Sequence, residues 1–94
     1  MRIQIGELDE QVTFQVEGRL VGPWVPELEH CWHTALADHP ERKISVDLSG
    51  VTCVDLSGQY LLRLMQRDGV SLIGAGLVIR EILNEMAGNA RKGD

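Results

Sequence analysis

The chain has 94 residues, 44% of them hydrophobic, and a formal net charge of −5 at pH 7. That length holds one hydrophobic core, so a single domain over 1–94 is expected, with its core at about 2–86 and a polar tail at 88–94. The negative balance, with no basic cluster larger than Arg42-Lys43 or Arg91-Lys92, speaks against nucleic-acid binding, and no apolar run approaches the roughly 20 residues that direct membrane insertion needs.

Arg2-Ile3-Gln4-Ile5 alternates polar and apolar, as a short strand does, and Gly6 to Glu10 has the composition of a turn. Val12, Phe14 and Val16 alternate again, which predicts a hairpin with Phe14 turned toward the core. Gly18 and Gly22-Pro23 then punctuate the chain. Pro26 suits the first turn of a helix, where its missing N–H costs nothing. From there Leu28, Cys31 or Trp32, Ala35 and Leu36 form an apolar stripe, and Asp38-His39-Pro40 ends it.

Ile44, Val46 and Leu48 predict a strand over 44–48, and Leu61, Leu64 and Met65 predict the inward stripe of a helix over about 57–68 that stops at Gly69. Between them lies Asp55-Leu56-Ser57-Gly58. Asp and Ser are favoured where a helix begins, because their oxygens accept from the free N–H groups of its first turn. A phosphate on Ser57 would also sit at the positive end of the helix dipole. Two readings of Ser57 therefore stand side by side, helix cap and modified residue. Asp55 reads first as a cap and second as a group orienting the Ser57 hydroxyl. VDLSG occurs at 46–50 as well as at 54–58. The first copy is followed by no helical periodicity, which makes Ser49 a turn residue. A short strand at 70–73 and a helix over 77–86, with Ile82 and Leu83 inward, complete the order ββαβαβα. Single apolar stripes on the helices predict a mixed sheet of about four strands with helices mainly on one face.

The run ISVDLSGVTCVDLSG, with VTFQVEGRL and PELEHCWHTAL before it and VSLIGAG and LVIREILNEM after it, resembles the STAS domain of anti-sigma factor antagonists and sulfate-transporter tails over residues 12 to about 86. The resemblance implies a non-enzymatic protein-interaction module of α/β fold. It implies that Ser57 matches the residue phosphorylated immediately before glycine, flanked by Asp55, Leu56 and Gly58. The implied partner is a kinase-type anti-sigma factor. The alternative within the same family is a constitutive, unphosphorylated subunit of a membrane transport assembly. A homodimer is compatible with either.

Trp24, beside Pro23 in a loop, and the i,i+4 pair Arg63 and Arg67 are the candidate partner contacts. His30, Cys31 and His33 are metal-ligand types without a fourth ligand nearby, so no metal is expected. No phosphate-cradling or dinucleotide motif is present, so no cofactor and no enzymatic activity are expected. The start of the chain lacks a basic-apolar leader, and a cytoplasmic location with Cys31 and Cys53 as free, buried thiols is the expectation.

Overall fold

A computed structural model describes residues 1–8, 10–76 and 79–81. The elements are β1 (Arg2–Leu8), β2 (Gln11–Leu20), α1 (Trp24–Asp38), β3 (Lys43–Val54), α2 (Leu56–Arg67) and β4 (Ser71–Ile73), and the chain is helical again at 79–81. The rest of the expected last helix, including Ile82 and Leu83, and the tail 88–94 lie outside the described residues. The fold is α/β, with a four-stranded mixed sheet in the order β1-β2-β3-β4. The β1–β2 hairpin is antiparallel, while β3 joins β2 and β4 joins β3 in parallel. Parallel neighbours need a crossover, and α1 and α2 supply the two crossovers here.

The period-2 pattern decides which face is covered. Phe14 pairs with Val46 and Val12 with Ile44, and all four are buried against Leu28 and Trp32 of α1 and Leu62 and Met65 of α2. Gln15 and Glu17, pointing the other way, are exposed. Phe14 is fully buried, as its place in the alternation requires.

Several boundaries and registers differ from the sequence expectation. β1 runs through Gly6 to Leu8 and β2 begins at Gln11, so Gly6, Glu7 and Leu8, expected in the turn, belong to the strand. α1 starts two residues earlier, which places Trp24 on its first turn instead of in a loop. On α1, Val25 replaces Leu36 in the core, and Leu36 is exposed. β3 does not stop at Leu48. It continues through Ser49 and Gly50 to Val54, with two shifts of register against β2 at which β3 carries the extra residue. Ser49 is therefore a strand residue at a bulge, its N–H donating to Asp47 Oδ1 at 2.9 Å, and not a turn residue. Bulges let a strand run past the point where simple alternation breaks.

On α2 the buried stripe is Gly58, Leu61, Leu62 and Met65. Leu64, expected in the core, is 43% exposed. Apolar residues run most of the way round this helix, so spacing alone permits two stripes, 58-61-62-65 and 56-60-64. The small Gly58 is what lets the first one approach the sheet. Cys31 is half-buried and Cys53 exposed; both are free, but neither is the fully buried thiol expected. Among the described residues, no helix is long and apolar enough to cross a membrane.

Candidate functional site

Parallel pairing of β2 and β3 brings their carboxyl ends together, with Leu20 opposite Val54. The starts of α1 and α2 consequently lie side by side, and Asp55 joins them. Its N–H donates to Leu20 O at 3.2 Å. Its carboxylate accepts from three donors: Gly22 N–H on Oδ2, and Gly58 N–H and the Ser57 hydroxyl on Oδ1, each at 2.8 Å. Asp55 is the residue that caps α2, with extended backbone before the first helical turn. The N–H of Gly22, followed by those of Gly58 and the hydroxyl of Ser57, stabilises the charged form and holds the Asp55 carboxyl below its ordinary value.

The link to stability has a definite sign. A carboxylate whose folded pKa is depressed contributes stability that is present above the unfolded value of about 3.9 and is lost as pH falls through the folded value. Asp47, held low by the N–H of Ser49, acts in the same direction. Asp55→Asn should therefore lower the melting temperature at neutral pH and shrink the loss of melting temperature below about pH 4 without abolishing it. Thermal melts of both proteins across that range check this; parallel acid curves would show that Asp55 is not linked to folding.

Ser57 is the second residue of α2 and is exposed. It does not cap the helix. Its hydroxyl is turned onto the cap residue instead, so the two roles considered for Asp55, capping and orienting Ser57, coexist in one carboxylate. Gly58 is buried, and a Cβ there would stand 2.7 Å from both Leu20 O and Val54 Cγ1. Its missing side chain serves helix-to-strand packing.

The outer side of α2 carries Leu56, Tyr60 and Leu64 at 65%, 64% and 43% exposure. Arg63 and Arg67 fall on the same side at helical spacing, and among the described residues neither has an ion-pair partner. Trp24, 42% exposed, stands two residues beyond the Gly22 that Asp55 holds. The structure thus assembles Asp55, Ser57, Gly58 and Gly22 by direct contact. It sets Leu56, Arg63 and Arg67 along one helix face and shows no hydrogen bond from Trp24 to Ser57 among the described residues. Sequence reading missed Gly22, Tyr60 and Leu64 as parts of this surface. The i, i+4, i+8 spacing of 56, 60 and 64 was the available signal. His30 and His33 are both exposed, and among the described residues no group of three metal-ligating side chains converges.

No protein-family model matches the sequence, and no curated protein matches it by sequence. Solved structures do match in three dimensions. One is a protein of the DUF3478 family with a SpoIIAA-like fold from Shewanella loihica, at TM-score 0.57 and 21% identity over 82% of this chain and 68% of that one. Another is a protein named Mglu, at TM-score 0.59 and 20% identity, where 79% of this chain corresponds to 20% of that one. A third is the anti-sigma factor antagonist SpoIIAA in its unphosphorylated form, at TM-score 0.71 and 18% identity over 99% of this chain and 100% of that one. The chain has the SpoIIAA-like fold, the α/β architecture that the STAS resemblance implies.

Proposed function

We propose that this protein is a non-enzymatic partner switch of the anti-sigma factor antagonist kind, cytoplasmic, whose unmodified form binds a kinase-type anti-sigma factor and whose phosphorylation at Ser57 ends that binding. The observation that carries the proposal is an exposed serine hydroxyl at the start of α2, beside an uncovered apolar face, in a chain with the fold of SpoIIAA. Leu56, Tyr60, Leu64 and Trp24 supply the apolar contact, and Arg63 and Arg67 its charged rim.

The chemistry at Ser57 suits a phosphoryl acceptor. Asp55 is the group hydrogen-bonded to the hydroxyl, and its carboxylate also accepts two N–H bonds as the helix cap and as the tie to Gly22. Asp55 thus orients the Ser57 hydroxyl, and the base for phosphoryl transfer comes with the kinase. Once formed, the phosphate carries about two negative charges. The helix N-terminus tolerates it, but Asp55 repels it outward into the docking face, where its charge must be desolvated or opposed by the partner.

The test is the affinity of the wild type, Ser57→Asp and Ser57→Ala for a purified kinase-type anti-sigma factor, beside phosphate mapping by mass spectrometry. Ser57→Asp should fold normally and bind at least about tenfold more weakly. Ser57→Ala should bind but resist the kinase, and Ser49→Ala should still be phosphorylated. Equal affinity of the wild type and Ser57→Asp for a confirmed partner would sink the switch. It would leave a constitutive subunit of a transport assembly.

A further inference from the structure

β1 is an edge strand: seven residues, RIQIGEL, paired with β2 in one unbroken register from Arg2↔Glu17 to Leu8↔Gln11. Its outer backbone groups have no partner among the described residues. Proteins normally blunt such an edge with proline, charged side chains, a bulge or shortness; β1 has no proline, lysine or bulge, and its charges, Arg2 and Glu7, stand toward its two ends. Ile3 and Ile5 lie opposite Val16 and Phe14 on the helix side of the sheet. Phe14 is fully buried, yet Ile5 is 55% exposed, because α1 stops short of the edge. A groove follows, floored by Met1, Ile3 and Ile5 and walled by Trp24, Cys31 and Ala35.

We infer that this edge pairs with the same edge of a second copy of the chain, antiparallel about a two-fold axis, to give one continuous sheet across both. Unpaired strand backbone is satisfied along its length by another strand. A two-fold perpendicular to the sheet keeps each face with its like, so only registers joining even with even and odd with odd positions are allowed. With Gln4 opposite Gln4, half-buried Ile3 of each copy covers exposed Ile5 of the other, and Met1 meets Glu7 only at the two ends of the pairing. The two Gln4 amides meet on the open polar face. Arg2 faces Gly6, which has no side chain to obstruct it. Moving the axis to Ile5 brings Glu7, whose carboxylate is held by His39 at 2.9 Å, in from the ends of the pairing onto Ile3. Moving it to Ile3 leaves only residues 1–5 to pair, whereas Gln4 on the axis pairs residues 1–7. The match of Ile3 to Ile5 about the axis makes this edge self-complementary, which selects a second copy over an unrelated strand.

This inference is independent of the role of Ser57. Sedimentation of the full chain from micromolar to submillimolar concentration should show a monomer–dimer equilibrium. Ile5→Lys should raise the dissociation constant at least about tenfold while leaving the helical circular dichroism unchanged. In a Cys53→Ser background, oxidised glutathione should link Gln4→Cys chains into covalent dimers far faster than Arg2→Cys chains, because only position 4 meets itself. Amide exchange in β1 should slow as concentration rises, a readout that needs no substitution. A chain that stays monomeric over that range would overturn the proposal and leave the edge to a strand of another protein. A dimer untouched by Ile5→Lys, or equal cross-linking at positions 2 and 4, would overturn it too.

Discussion

Leu62→Ala should lower the stability of the fold by about 2–5 kcal/mol, whereas Leu64→Ala should change it by no more than about 0.5 kcal/mol. The two leucines are two residues apart on the same helix. Leu62 is fully buried, in one cluster with Phe14, Val46 and Met65, and Leu64 is 43% exposed on the opposite side. Truncating Leu62 removes apolar area from the core and leaves a cavity that close-packed neighbours refill only in part. Truncating Leu64 removes a side chain still largely in contact with water. Chemical denaturation of the three proteins decides the matter. Equal shifts of the midpoint would mean that α2 is rotated from the register described.

Gly58→Ala should destabilise by about 1–3 kcal/mol, against the direction that helix propensity predicts. In an exposed helix interior alanine gains about 1 kcal/mol over glycine. Here the added methyl would stand 2.7 Å from Leu20 O and from Val54 Cγ1. Val54 can rotate, but Leu20 O is strand backbone that also accepts the N–H of Asp55. The start of α2 must therefore move away from β2. That movement strains the bond from Gly22 N–H to Asp55 and with it the link between the two helix starts. A raised melting temperature for Gly58→Ala would show that α2 shifts without cost and that the close approach is incidental.

The sequence by itself determined the elements and their order. Alternation at Val12, Phe14 and Val16 and at Ile44, Val46 and Leu48 has one period-2 solution per strand, and those side chains are buried as it requires. Trp32 in the core, the end of α1 before Pro40 and the end of α2 at Gly69, where φ is +94°, follow from local chemistry in the same way. So does Asp55 as the α2 cap, since a cap involves only residues three apart in sequence.

Tertiary structure alone decided the rest. The rotation of α2 depended on contact with the sheet, because apolar residues form two adjoining stripes on it and the choice between Leu62 and Leu64 is settled by which face can approach. The length of β3 depended on its parallel partner β2, against which bulges absorb the residues that break alternation. The tie from Gly22 to Asp55 spans 33 positions and exists only because two parallel strands end side by side. Ser57 was legible as a polar residue at a helix start. Its hydroxyl resting on Asp55, and the apolar face next to it, needed the helix to be turned on the sheet, since exposure is what remains after packing has chosen the buried side.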